Sequence, residues 1–374
     1  MSDDVDEASG VPSADLTALH APLAGELEAA ARRVLASGRF ILGAEVAAFE
    51  RELAAALGVA RAVGISSGTD ALLALLMAHG VGPGDEVVTT PLSFFATAGV
   101  IARVGARPVF ADVEPDTLNL APDRAIEKLG PRARAIVVVH LFGRAARTAP
   151  LAAACTSRGL ALIEDAAQAI GATSDGRPVG SVGAAALSFF PSKNLGGFGD
   201  GGAVVTDDAA LADRVALLRS HGATARMRHE LVGGNFRLDE LQAALLRVKL
   251  PHLSRWTERR RGHARRYRAA LANLPGLALP PDDDTCVWNQ FVVRVRDGRR
   301  DELARALAKR KIATAIYYAT PLHLQPALAS LGHGAGDFPV AEAAAAEVLA
   351  LPVAAELDDT AIDRVADAVR QFFP

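Results

Sequence analysis

Cysteine is scarce in this chain. Only Cys155 and Cys286 occur in 374 residues, in neither a CxxC pair nor a Cys/His cluster. That argues against a disulfide framework and against any metal site. The two read as reduced thiols packed as small apolar residues in a cytoplasmic protein. A surplus of one charge is lacking too. Lys+Arg number 40 against Asp+Glu 43, a formal net charge of −3, without the basic excess of a nucleic-acid binder. Long apolar runs are missing: the longest, around Ala71 to Ala78, falls far short of a bilayer span. The first ten residues carry Asp3, Asp4, Asp6 and Glu7, the reverse of a secretory leader.

What is present is the stock of a soluble globular protein. Half of the residues are hydrophobic and 22% charged, enough for one large core and a smaller one. Residues 1–11 read as an unstructured lead. Helical spacing starts at Pro22 (Leu23, Leu27, Ala30, Ala31, Val34, Leu35) and stops at Gly38; a second helix runs from about Ala44 to Leu57.

Strand-like runs then alternate with helical patterns. The strands fall at Ala62–Ile65, Glu86–Thr90, Pro108–Asp112, Ala135–Leu141 and Ala161–Glu164, with helices near Asp70–Ala78, Phe94–Val104, Pro122–Leu129 and Ala149–Arg158. This is an α/β pattern with a largely parallel sheet covered on both faces. The character changes near Pro251. An arginine-rich helix over Ser254–Leu274 and a turn-rich link lead into a smaller α+β unit. That unit holds strands at Val287–Val295 and Ile312–Tyr317, and helices at Asp301–Lys309, Pro339–Leu349 and Thr360–Phe372. The expected division is residues 12–250 and 251–374.

Ligands of an open parallel sheet sit beyond the carboxyl ends of its strands, so the loops after each strand carry the candidates. Ser66-Ser67-Gly68-Thr69-Asp70 opens a helix; its free amides suit an anion, although ordinary N-capping would use the same residues. Phe94 and Phe95 follow the second strand and fit either a core or a flat face for a planar ring. Asp165 ends a buried apolar strand, where a carboxylate is costly without a partner, and Gln168 follows three residues on. Last comes Ala186–Thr206, in which Ser188 and Lys193 lie beside Phe189 and Phe190 in a glycine-rich stretch. A lysine desolvated there would be a nucleophilic amine; otherwise it marks the lip of a surface loop. An anion cradle, an aromatic face, a buried carboxylate and a lysine together make the set that pyridoxal phosphate requires.

SSGTDAL, EDAAQAIGA, SFFPSKNLGGFGDGG and GGNFRLDELQAALLRVKL occur in this order. On them the chain resembles the DegT/DnrJ/EryC1/StrS family of sugar aminotransferases, within the aspartate aminotransferase-like fold. The resemblance implies that residues 12–250 bind pyridoxal 5'-phosphate (pyridoxamine 5'-phosphate in the half-reaction), with Lys193 as its covalent anchor and proton shuttle. Asp165 would pair with the ring nitrogen, Gln168 with the ring hydroxyl, and Phe94 would stack. Gly68, Thr69 and Ser188 would bind the phosphate, joined by Asn235 from the other subunit of a homodimer with shared active sites. Arg237 and His323 would lie near the substrate. Two departures stand out: Gly234 replaces an aromatic, and Val287-Trp288-Asn289-Gln290-Phe291 lacks a histidine common in the family.

The implied activity is transfer of an amino group from L-glutamate to a nucleotide-linked keto-sugar, with a lean to a C3 ketone. The amino sugar would serve cell-surface polysaccharide or secondary-metabolite glycosylation. Two rivals remain at this point: a sugar dehydratase of the same fold, whose members that retain pyridoxamine phosphate carry histidine in place of Lys193, and a regulatory protein that binds the cofactor without turnover.

Overall fold

The structure, a computed structural model, describes residues 10–373; the first nine residues of the expected unstructured lead lie outside them. Val11, at the end of that lead, is buried and forms a parallel bridge with Ile312, donating to Lys311 O and accepting from Ala313 N at 2.9 Å each. An apolar β-branched residue beside an open strand edge has that pairing to gain.

The helices in chain order are α1 Leu16–His20, α2 Ala24–Ser37, α3 Ala44–Leu57, α4 Gly68–Ala78, α5 Ala96–Arg103, α6 Pro122–Glu127, α7 Thr148–Arg158, α8 Ala209–Leu218, α9 Glu240–Lys249, α10 Leu253–Leu271, α11 Arg300–Lys309, α12 Pro339–Glu347 and α13 Asp359–Phe372. The strands begin with β1 Arg61–Ile65, β2 Glu86–Thr89, β3 Arg107–Phe110, β4 Ala133–Val139 and β5 Ala161–Asp165. A small hairpin follows, β6 Thr173–Ser174 with β7 Arg177–Pro178, and then β8 Ala184–Ser188 and β9 Gly202–Thr206. A second hairpin pairs β10 Ala223–Ala225 with β11 Arg228–His229, ahead of β12 Leu277–Ala278, β13 Phe291–Val295 and β14 Val348–Leu351.

The main sheet has seven strands in the order β1-β9-β8-β5-β4-β2-β3. Only β9 runs antiparallel, between β1 and β8; the other pairs are parallel. Successive side chains of a strand point to opposite faces, and here both faces are buried. Ala184 and Ala186 pack with α4, α5 and α8, whereas Ala185 and Leu187 pack with α2, α3 and α9. Val138 and Ile136 join α6 and α7 in a further core. This is the aspartate aminotransferase-like layout, a large, mostly parallel sheet between helices.

The second sheet, β12-β13-β14, is antiparallel and lies over its own core with α10, α11 and α13. It departs from the sequence expectation in three places. The strand expected from Val287 starts at Phe291, because Val287 N and Gln290 N donate to Gly143 O and Phe142 O of the large sheet's loops. Ile312–Tyr317 makes only single bridges, to Val11 and from Ala315 to Ala350. Val348–Leu351, expected to begin as the end of a helix, pairs instead with β13. Among the described residues no helix is long and apolar enough to cross a membrane.

Helix α9 anchors the edge of the large sheet. Glu240, buried in its first turn, accepts from the amides of Gly43, Glu45 and Val46 at 2.6, 3.0 and 2.9 Å. The N-terminus of α3 has orphan N–H groups, and a carboxylate from another helix satisfies them. Arg247 adds ion pairs to Glu45 and Glu52 of α3. Glu240→Ala is therefore expected to destabilise the fold by about 1–3 kcal/mol by stranding these buried donors. Urea denaturation of the two proteins measures it, and an unchanged midpoint would refute this assignment.

Candidate active site

β1, β2, β4, β5 and β8 point the same way, so the loops after them meet at one edge. β5 ends in Asp165, which is buried. Thr97 Oγ1, on the first turn of α5, donates to Asp165 Oδ2 at 2.8 Å, and Ala167 N donates to Oδ1 at 3.2 Å. Thr97 is itself 2.9 Å from Ser93 Oγ, one helical turn back. Burial pushes the Asp165 carboxyl above its usual range, partly offset by Thr97, Ala167 N–H and the charges of Lys193 and His140.

Lys193 is partly buried beyond β8. Burial pulls its amine down to about 8, against the pull of the Asp165 carboxylate, which raises it. At neutral pH a share of such amines is unprotonated, as a nucleophile needs. Asp165 at the end of β5 and Lys193 in the turn after the neighbouring β8 are the electrostatic centre of the site.

Of the expected phosphate residues, Gly68 and Thr69 share the start of α4, and Gly68 lies against Ser188. Ser67 caps α4, its Oγ accepting from Asp70 N at 3.0 Å, so the amides of Gly68 and Thr69 fall in the first turn, where intrahelical partners are lacking. A Cβ at Gly68 would lie 2.8 Å from Ser188 Cβ; only glycine lets Ser188 sit against the helix start. Phe94 is 60% exposed, with its ring centroid 6.4 Å from that of Tyr318.

Gln168 is buried and doubly engaged. Its Oε1 accepts from Phe142 N at 2.7 Å and its Nε2 donates to the Tyr318 hydroxyl at 3.1 Å. Asn235 is exposed, in a bridge with Ser220. The segment after it runs beside the end of β1: Ser66 N donates to Phe236 O, and Arg237 bridges Ile65. Arg237 Nε is buried without a hydrogen-bond partner. His323 follows Leu322, whose N–H donates to Pro91 O at 2.7 Å. It is buried, with Nε2 3.1 Å from Glu342 Oε1 and its ring 4.7 Å from that of Phe338.

Sequence reasoning passed over three contributors. Thr97 stood in view four residues after Ser93, a spacing that brings two hydroxyls together on a helix turn. Tyr318 comes from the far end of the chain and gave no local signal. Behind Asp165, the buried pair His140–Glu164 was also missed. Glu164 Oε2 is 2.9 Å from His140 Nε2, while Gly183 N and Gly180 N donate to Oε1 at 3.0 and 3.2 Å. Burial pushes the Glu164 carboxyl up, but His140 and the two amides together hold it below its ordinary value. His140 N in turn donates to Asp165 O at 3.0 Å.

A lysine amine facing a buried aspartate at the carboxyl ends of a mainly parallel sheet is the layout of a pyridoxal-phosphate enzyme. The chain belongs to the DegT/DnrJ/EryC1/StrS aminotransferase family, whose model matches residues 23–370, and it is dependent on that cofactor. It is 45% identical, over 97% of this chain and 98% of the other, to a protein of Geobacillus stearothermophilus named pleiotropic regulatory protein. It is 44% identical, over 98% and 97%, to the dTDP-3-amino-3,4,6-trideoxy-alpha-D-glucose transaminase of Streptomyces venezuelae. The crystal structure of DesV from S. venezuelae superposes with a TM-score of 0.95 at 43% identity, covering 98% of this chain and 99% of that one.

The electrostatics make a prediction for the cofactor-free protein. Lys193 is expected to titrate at about 8, and Asp165→Asn is expected to lower that further, because the substitution removes the negative charge that favours the ammonium. The pH dependence of Lys193 reductive methylation, read by peptide mass spectrometry, gives both values. A Lys193 that titrates as an ordinary surface lysine would sink the assignment.

Proposed function

We propose that this aminotransferase moves an amino group from L-glutamate to a nucleotide-linked keto-sugar at C3, with Lys193 as its catalytic residue. The observation that carries the reading is the Lys193 amine set against the buried Asp165 carboxylate. The dTDP-3-amino sugar named for the Streptomyces relative supports the substrate class and the C3 position. An amino sugar for cell-surface polysaccharide or secondary-metabolite glycosylation, made in the cytoplasm, accords with it.

The residues fit pyridoxal phosphate. When bound, the cofactor supplies an aldehyde for an amine and a ring that withdraws electrons from a substrate C–H bond. Lys193 would anchor it and, with its amine pulled down to about 8, could hold or release a proton on Nζ. The Asp165 carboxylate, held by Thr97, would be the partner of the ring nitrogen. Once the Lys193 amine is neutral, that carboxylate lacks its nearest counter-charge in a buried site, so a protonated ring nitrogen is a favourable replacement. Gly68, Thr69 and Ser188 would hold the phosphate at the start of α4, and the exposed ring of Phe94 would offer a stacking face. Gln168, already fixed by Phe142 and Tyr318, would contact the ring hydroxyl. Arg237, with its unpartnered Nε, and His323 are assigned to the substrate side. The division into residues 12–250 and 251–374 then separates the cofactor-holding part from a smaller unit.

The protein works in this reading as a homodimer, with Asn235 reaching the partner's phosphate. An exposed apolar face supports it. Phe40 and Ile41 are each 50% exposed and Leu42, Leu241 and Phe198 are exposed as well. Ile41 bridges Asp239, Glu240 N donates to Phe40 O, and Phe198 N donates to Gln242 Oε1, which makes the face continuous.

A cofactor-binding regulator is the second reading, favoured by the name of the Geobacillus relative. Lys193→Ala separates the two: it is expected to abolish the absorbance of lysine-bound cofactor and to cut amine transfer by at least about 10⁴-fold. Transfer is assayed with glutamate and a panel of UDP- and dTDP-keto-sugars, with the product identified by NMR. No transfer from the unmodified protein to any of them would favour the regulator, and transfer surviving in Lys193→Ala would refute the assigned role. Leu241→Glu is expected to shift the protein toward monomer in light scattering and to lower transfer with it. A dimer of unchanged affinity would rule this face out.

A further inference from the structure

Helix α9 takes hold of the turn that carries Lys193. The chain leaves β8 through Phe189 and Phe190 and returns at Gly202. Lys193 N donates to Phe190 O at 2.8 Å, and Gly197 N donates to Phe189 O at 2.6 Å. Gly196 has φ +51°, and a Cβ there would meet Pro191 O at 2.3 Å, so the turn closes too tightly for any other residue. Three side chains pin it from outside or within. Asn194 Nδ2 donates to Val287 O at 2.9 Å, Gln242 Oε1 accepts from Phe198 N at 3.0 Å, and Lys249 Nζ donates to Gly196 O at 2.5 Å. Gln242 and Lys249 lie two turns apart on one face of α9.

Lys249 is fully buried. Its remaining neighbours are His20 Nε2 at 2.9 Å and the rings of Phe198 and Trp256, with centroids at 5.3 and 5.8 Å. Burial pulls its amine down to about 8, and the charge of Glu356 offsets part of this. His20 is pulled down to about 4 by burial and by Lys249 itself, so at neutral pH its ring is uncharged and accepts from the ammonium. Burying an ammonium is costly where an apolar side chain of similar volume would pack without penalty. The cost falls at a carbonyl of the one turn whose geometry aims Lys193.

We propose that Lys249 is a positioning residue: by holding the Gly196 carbonyl from α9, it fixes the direction in which Lys193 leaves its turn toward Asp165. The inference deepens the reading of Lys193 as the cofactor's anchor, and its first test is independent of that reading.

Lys249→Met keeps the stem and removes the donors. Hydrogen–deuterium exchange of the full-length protein, without and with pyridoxal phosphate, is expected to speed up about tenfold over residues 193–198, the loss of one hydrogen bond. The strands of the large sheet stay protected. In the loaded enzyme, kcat is expected to fall by about 10–100-fold through misaim of the amine, while KM for the amino donor stays within about threefold. Gln242→Leu is expected to loosen the same residues, and its combination with Lys249→Met to give less than the product of the two effects, because both hold one turn.

Unchanged exchange over 193–198 in Lys249→Met overturns the proposal, and so does a loosening spread evenly over the chain. Should Lys249→Met fail to fold, His20→Leu strips the lysine of its second partner and is judged by the same segment and the same outcomes. Loosening of the turn together with amine transfer that survives Lys193→Ala would refute the functional reading while upholding the clamp.

Discussion

A positive and a negative group share a poorly hydrated space at the edge of the large sheet, and the structure is arranged around that cost. Lys193 and Asp165 each shift toward the neutral form because burial disfavours charge, and each draws the other back. Burial outweighs the mutual attraction in both, which makes the amine readier to shed its proton and the carboxyl costlier to keep ionised without a positive partner. The surroundings tune the balance. Thr97 and the Ala167 amide steady the carboxylate, while the His140–Glu164 pair fixes the backbone at the end of β5 from behind.

The sheet makes that balance rigid. β5 and β8 are neighbours, with Asp165 paired to Ala186, so the ladder fixes Asp165 and the strand from which the Lys193 turn departs. The antiparallel β9 wedges β1 beside them, and that brings the start of α4 against Ser188. Small residues make the approach feasible: β8 opens with three alanines, and β9 with Gly202 and Ala203. Groups from four loops thus converge on the ends of neighbouring strands, and side chains from outside, Lys249 and Gln242 among them, hold the turn that carries Lys193.

Much of this was legible in the sequence, because the large sheet follows local rules. Unbroken apolar runs marked strands buried on both faces, and glycines marked helix ends. Lys193, Asp165, Ser188 and Gly68 stood at or just past the carboxyl ends of strands, where an open sheet binds its ligands. The smaller sheet was less legible. Val348–Leu351 has the apolar content of either a helix end or a strand, and only pairing with β13 decides. Val287–Gln290 reads as strand but is drawn off by the carbonyls of Phe142 and Gly143. Tyr318 and Lys249 act through contacts across long stretches of chain, Tyr318 with Gln168 and Lys249 with Gly196 and His20. No periodicity or spacing encodes such contacts.

Glu240 has a consequence for how the molecule meets another. By accepting three amides around Gly43, it sets the loop of Phe40, Ile41 and Leu42 before anything docks there. A loop already in place surrenders little chain entropy on association, so more of the apolar burial is realised as affinity. Encounter is then governed by diffusion and orientation, with no wait for the loop to order itself.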